Sequence, residues 1–197
     1  MDIRIKPLTP ELSEDYFDFF ENRAFTDNSP YRCYCQIYQM SKEQVKASLE
    51  NASGLDVGQI SRKAAEQQIK AGVLCGYLAF VDNMAIGWCN ANDRANFPIE
   101  PYTDTQHYYA PAEKREKAVV CFEVAPEYRR QGVATTLLQQ VIADAKAEGY
   151  IAVVSFPIIR NQRYEWDCNG PVRLYEKAGF AKVEEHDKFS IMRKRLK

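Results

Sequence analysis

The chain has 197 residues, with 26 Lys plus Arg against 27 Asp plus Glu and a formal net charge of −1. That length is enough for a sizeable core and sits near the upper end for one ordinary domain, so a single domain over 1–197 is expected. A balanced charge leaves no basic footprint for nucleic acid, no apolar run approaches the roughly 20 residues of a membrane helix, and the charged, alternating start does not read as a secretory signal, so a cytoplasmic location is the expectation.

Ile3 to Leu8 alternates and predicts a first strand. Thr9-Pro10 predicts a helix start, with threonine as cap and proline as first residue. Leu12, Tyr16, Phe19 and Phe20 give that helix an apolar face, which fades at Arg23-Ala24. Phe25 to Pro30 reads as a polar turn. The stretch Tyr31-Arg32-Cys33-Tyr34-Cys35-Gln36-Ile37-Tyr38 is aromatic and has no clean period. Ser41 to Leu49 predicts a helix capped by Ser41, with Glu43 or Gln44 in its first turn. Asn51 to Gly58 reads as a loop, and Gln59 to Ala71 as a helix ended by Gly72.

Val73 to Val81 and Met84 to Asn92 flank Asp82-Asn83, a two-residue hairpin signal. Arg94 to Lys117 is too long for a bare connection and is either mobile or functional. Val119 to Val124 predicts a buried strand that Pro126 stops. A helix comes next, with Leu137, Leu138, Val141, Ile142 and Ala145 on one face and Gly149 at its C-terminal cap. Tyr150 to Pro157 reads as a parallel strand, Ile158 to Asn169 as a loop, Pro171 to Ala178 as a short helix. Phe180 to Glu184 and Phe189 to Arg193 make a last hairpin around Asp187-Lys188.

Six cysteines, Cys33, Cys35, Cys75, Cys89, Cys121 and Cys168, stand without a secretory signal and are expected to be reduced. Cys33 and Cys35 are the only close pair, and neither His107 nor His186 is near a cysteine in sequence, so no metal is expected.

The chemistry concentrates in the turn Arg129-Arg130-Gln131-Gly132-Val133-Ala134 between the buried strand and its helix. Unpaired N–H groups at a helix start point outward, and the dipole adds about half a positive charge there. Gly132 lets a phosphate approach the backbone, Ala134 keeps the next position small, and Arg129 and Arg130 add charge for a pyrophosphate. No Gly-Lys-Ser/Thr comes after it, and the three-glycine dinucleotide pattern is absent.

Val124-Ala125-Pro126-Glu127-Tyr128-Arg129-Arg130-Gln131-Gly132-Val133-Ala134 resembles the acetyl-CoA pyrophosphate motif of the GNAT superfamily of N-acetyltransferases. Downstream, Pro171-Val172-Arg173-Leu174-Tyr175-Glu176-Lys177-Ala178-Gly179-Phe180 looks like that family's last helix, and both come in the family's order. The resemblance implies an α/β (α+β) fold, a mixed sheet of about seven strands flanked by helices on both faces. It implies acetyl-CoA as co-substrate and direct acetyl transfer to a primary amine. By position it assigns Phe122, Glu123 and Val124 to the pantetheine arm, and Arg129, Arg130, Gln131, Gly132, Val133, Ala134 and Thr135 to the pyrophosphate. Asn169 is assigned to the coenzyme too, although the family asparagine is offset by one and Cys168 holds its place. Tyr175 aligns with the tyrosine that protonates the leaving thiolate, and its ordinary pKa of about 10 keeps it a donor.

The base stays open. Where some relatives carry a glutamate this chain has Ala118, and Glu116, Glu123, His107, Tyr109 or a water chain are the alternatives. The 31–38 stretch either walls the acceptor site or packs on the sheet. A wall of Tyr31, Tyr34, Tyr38, Trp88, Phe156 and Trp166 favours a partly apolar or cationic acceptor, since aromatic faces attract ammonium groups. A small-molecule amine is the first expectation, taken by a monomer or homodimer. A peptide or protein acceptor, and a non-catalytic acyl-CoA-binding sensor, are the alternatives.

Overall fold

In a computed structural model, residues 1–27, 33–50, 56–98, 115–159 and 167–197 are described, Leu49 in its backbone only. Seven strands form one sheet in the order β1-β2-β3-β4-β5-β7-β6. They are β1 (Arg4–Pro7), β2 (Gly76–Val81), β3 (Met84–Asp93), β4 (Glu116–Val124), β5 (Ala152–Ser155), β6 (Ala181–Glu185) and β7 (Ser190–Arg195). β4 and β5 run parallel, and the other neighbouring pairs are antiparallel. The helices are α1 (Ser13–Asn22), α2 (Lys42–Glu50), α3 (Val57–Lys70), α4 (Val133–Ala147) and α5 (Val172–Lys177). This is the expected mixed sheet with helices on both faces.

Two apolar layers hold it. On one face α1 brings Tyr16, Phe19 and Phe20 against Trp88, and α3 adds Ala65 and Ile69. The Tyr16 and Trp88 rings meet edge to face with centroids 5.0 Å apart. On the other face α4 buries Leu137, Leu138, Val141 and Ala145 against Ile86, Cys89 and Val153. That stripe is the three- and four-residue spacing expected of a core-facing helix. Gly87 brings α4 close to the sheet: a Cβ there would lie 2.8 Å from Val133 Cγ1.

Local chemistry sets the element ends. Asp82 and Asn83 have φ of 48° and 68°, the two positive values that a twisted two-residue hairpin turn needs. Ser41 and Gln44 form a reciprocal capping box, the Gln44 N–H on Ser41 Oγ and the Ser41 N–H on Gln44 Oε1. A second box, Asp56 with Gln59, starts α3 at Val57, two residues before the expected Gln59. Thr9 makes no side-chain cap. Pro10–Leu12 instead forms a 3-10 turn that leads into α1 at Ser13.

β4 begins at Glu116 rather than the expected Val119. Its first residues are charged yet buried, because partners neutralise them. Glu116 takes Arg94 at 2.6 Å and Arg193 at 2.8 Å, and Lys117 takes Glu148 at 2.8 Å. Residues 28–32 of the expected turn and aromatic stretch, 51–55 of the expected loop, 99–114 of the long connection and 160–166 of the later loop lie outside the described residues.

Leu137→Ala is expected to cost about 2–5 kcal/mol, since the side chain is fully buried between α4 and the sheet. A urea titration reads this as a lower midpoint with an unchanged slope.

Candidate active site

The site begins where two parallel strands part. β4 pairs with β5 only from Glu116 opposite Ala152 to Val119 opposite Ser155, yet β4 runs on to Val124. Its register with β3 skips Val120: Cys121 faces Asn90 and Val119 faces Ala91. Such a bulge bends the strand and re-aims its later side chains. Beyond it, Phe122, Glu123 and Val124 line a cleft of about 400 Å³. The cleft is completed by Arg129, Arg130 and Gly132 to Thr135 around the start of α4, and by Asp167, Cys168 and Gly170 ahead of α5.

The helix start is open. Gly132 sits at φ 91°, a left-handed conformation that side chains strain to adopt, and among the described residues a Cβ added there would meet nothing within 4 Å. The first helical bond runs from the Thr136 N–H to the Gly132 carbonyl, and among the described residues no side chain caps the helix. The N–H groups of Val133, Ala134 and Thr135 therefore belong to the set a helix leaves without internal partners, facing a concave space. Arg130 lies beside them in the cleft lining.

Two residues expected at the pyrophosphate also have partners within the protein, and one of them, Arg129, still lines the cleft. Arg129 spends its guanidinium at the end of β4: Nε donates to the Val124 carbonyl at 3.0 Å, one terminal nitrogen reaches Asp27 at 2.5 Å, and the other lies 3.4 Å from Glu123. It ties the residues after α1 to the end of the central strand. Gln131 donates to the Glu127 carbonyl at 2.7 Å and does not line the cleft.

The backbone edge of β4 also finds partners within the chain. The Phe122 N–H donates to the Cys168 carbonyl. Asn169 is buried, and its side-chain amide donates to the Val120 carbonyl at 3.0 Å, bridging the bulge. Tyr175 is fully buried, and its hydroxyl donates to the Asn169 carbonyl at 2.6 Å. Burial holds that hydroxyl's pKa well above the ordinary tyrosine value. It lies one layer beneath the cleft: a Cβ on Gly170, a lining residue, would be 3.3 Å from it.

The candidate bases separate cleanly. Glu116 is 4% exposed and held between Arg94 and Arg193, away from the cleft. Ala118 is fully buried. His107 and Tyr109 lie outside the described residues. Glu123 lines the cleft, and burial pushes its carboxyl up to about 8 against the opposing pull of Arg129.

The expected aromatic wall dissolves in part. Trp88 and Phe156 belong to the buried core, while Tyr31 and Trp166 lie outside the described residues. Tyr38 touches Cys168 Sγ through its hydroxyl at 3.4 Å, and Tyr34 donates to Glu21 at 3.2 Å. A second hollow of about 270 Å³ opens between α1, the segment at Cys33-Tyr34 and the start of α3. No disulfide joins any of the six cysteines, and no group of three or more metal-ligating side chains gathers among the described residues. Among them, too, no helix is long and apolar enough to cross a membrane.

These carboxyls carry two expected outcomes. Glu116→Ala removes the buried carboxylate that Arg94 and Arg193 share and is expected to cost about 3–5 kcal/mol in urea unfolding. Glu123 is neutral in both states at low pH, and as pH rises the unfolded state ionises first, so the stability its raised pKa contributes is lost between about pH 4 and pH 8. Glu123→Gln should therefore gain in melting temperature relative to the parent between pH 5 and pH 9, by about 2–4 °C for each kcal/mol of linkage. A difference that stays constant with pH would return the carboxyl to its ordinary range.

Comparison with known proteins agrees with this geometry. The model of the "Acetyltransferase (GNAT) family" matches residues 34–180. An N-alpha-acetyltransferase of Saccharolobus solfataricus is 30% identical over 118 residues, 60% of this chain; the match spans 63% of that protein, less than two thirds of its length. PaiA N-acetyltransferase from Thermoplasma acidophilum, solved in complex with coenzyme A, superposes with a TM-score of 0.56 at 18% identity over 100% of both chains. Arabidopsis thaliana NAA60, solved in complex with acetyl-CoA, does so with a TM-score of 0.55 at 15% identity, over 99% of this chain and 100% of that one. The solved structures establish the likeness of fold, and the family match covers most of the sequence and both motifs around the cleft: this chain belongs to the GNAT acetyltransferase family.

Proposed function

We propose that this protein is an acetyl-CoA-dependent N-acetyltransferase that moves an acetyl group onto a primary amine by direct attack. The observation that carries the reading is the uncapped start of α4, opening on a cleft beside the length of β4 that β5 has left. An anion placed there meets aligned N–H groups and the positive end of the helix dipole. The N–H groups of Val133, Ala134 and Thr135 and the side chain of Arg130 fit a pyrophosphate. The open space over Gly132 supports this fit, since none of the described residues fills it. Arg129 serves as a latch between Asp27 and the end of β4 rather than as a phosphate ligand.

Acetyl-CoA supplies an activated acyl group, and the chain's part is to hold it, polarise its carbonyl and manage protons. The edge of β4 at Phe122 to Val124 suits the pantetheine arm. The Phe122 N–H is a donor suited to a carbonyl oxygen once the Cys168 carbonyl gives way. Tyr175 is kept protonated by burial and becomes the acid for the leaving thiolate when its hydroxyl exchanges the Asn169 carbonyl for sulfur.

The acceptor is an amine. The 30% identical relative, an N-alpha-acetyltransferase, supports a peptide α-amine over the small-molecule amine expected first. Calorimetry with acetyl-CoA tests the cofactor step. The parent protein should bind, and Gly132→Glu, which puts a carboxylate among the phosphate donors, should abolish the heat. No binding by the parent would overturn the reading. Tyr175→Phe should still bind acetyl-CoA and release CoA to an amine at least about tenfold more slowly. Binding without release to any amine would leave a non-catalytic acyl-CoA module instead.

A further inference from the structure

An ammonium must lose a proton before it attacks, and the groups assigned so far give that proton no destination. Glu123 stands where one is needed. Its cross-strand partner is Trp88, in the core layer of α1, whereas its neighbours Phe122 and Val124 belong to the layer of α4. The carboxyl thus leaves β4 on the face opposite the pyrophosphate helix, while still lining the cleft. Its side chain is 16% exposed, so it is sheltered and reachable. Oε1 makes both of its contacts, with Arg129 at 3.4 Å and with the Val124 N–H at 3.3 Å. Oε2 accepts no hydrogen bond among the described residues.

We infer that Glu123 is the proton acceptor for the amine, which enters as an ammonium from the face covered by α1 and the segment Cys33 to Tyr38. The inference rests on the acetyl-transfer reading above and deepens it. The ammonium gives one proton to Oε2. The freed lone pair forms the N–C bond, and the C–S bond breaks with its electron pair left on sulfur. The second nitrogen proton ends on that sulfur, directly or through Tyr175, and the amide keeps the third hydrogen. Glu123 then returns its proton to water.

The surroundings of the carboxyl suit this cycle. Arg129, from the turn before α4, favours the charged form, and Asp27, beyond α1, shares that guanidinium. Cys168, ahead of α5, opposes the charge, and the Cys33 thiol, raised first by burial, is also raised by Glu123. Arg130 and Asp167 line the same cleft. Burial outweighs Arg129, and the resulting value of about 8 is that of a base poised near neutral pH. Cys33 also lines the hollow between α1 and α3, so the acceptor's own chain has room on this side.

The test uses the full chain, acetyl-CoA and two amine probes: a random-sequence peptide mixture with free α-amines, and spermidine. CoA release is measured from pH 6 to pH 10. For the parent, kcat/KM should rise with pH through about 8 as the carboxyl ionises. Glu123→Gln should lose about 10²-fold or more in kcat, lose that limb of the profile, and still bind acetyl-CoA by calorimetry. Glu123→Asp should recover part of the rate together with the limb. A Gln variant that turns over like the parent with the limb intact overturns this assignment alone. Turnover of neither probe by a parent that binds acetyl-CoA overturns it together with the catalytic reading, and absent acetyl-CoA heat fails the cofactor reading first.

Discussion

The parting of β4 from β5 after Val119 is the constraint on which the site depends. Parallel strands saturate each other's backbone, so a strand that outruns its neighbour presents N–H and C=O groups that need other partners. In this protein the bulge at Val120 turns the rest of β4 aside, and the segment Cys168-Asn169 covers part of the exposed edge. The remainder is a cleft with strand backbone along one side and a helix start at its end. Its two sides carry different chemistry: the α4 face offers donors to an anion, and the α1 face offers a carboxyl to a cation. The acetyl transfer proposed for this cleft would use both at once.

Charge compensation holds this arrangement in place. At one end of β4, Glu116 between two arginines and Lys117 against Glu148 let the strand enter the core with its charges buried. At the other end, Arg129 joins Asp27, Glu123 and the Val124 carbonyl. Replacing either set by apolar residues could leave the fold intact, since buried ion pairs are weak evidence for stability. Their effect is positional: they tie the two ends of β4 to the elements and loops around it. The Cys168 carbonyl on Phe122 and the Asn169 carbonyl on Tyr175 show one short segment engaging two groups proposed for the chemistry.

Much of the fold was legible because local chemistry and tertiary role agree. Asp82-Asn83 is a turn signal on any sheet, and the apolar stripe of α4 reports the face it buries. The turn at Gly132 was legible for the same reason, since its residue types serve one backbone geometry. Misreadings fell where a distant partner decides the outcome. Glu116 and Lys117 look like solvent residues until Arg94, Arg193 and Glu148 are brought to them. Arg129 lines the cleft as its place in the turn suggests, but its pairing with Asp27, 102 positions earlier, has no local signal. Trp88 and Phe156 look like pocket walls because aromatic residues serve cores and sites alike, and here they are core. The face on which Glu123 emerges depends on the bulge at Val120, which no local pattern announces.

The central claim is that main-chain donors at the start of α4 hold the phosphates of the coenzyme. Amide hydrogen exchange, with and without acetyl-CoA, addresses it without needing to know the acceptor. The account predicts slowed exchange confined to Val133, Ala134 and Thr135 and the adjoining end of β4. Saturating acetyl-CoA that leaves those amides unchanged, or protects a different surface, would contradict it.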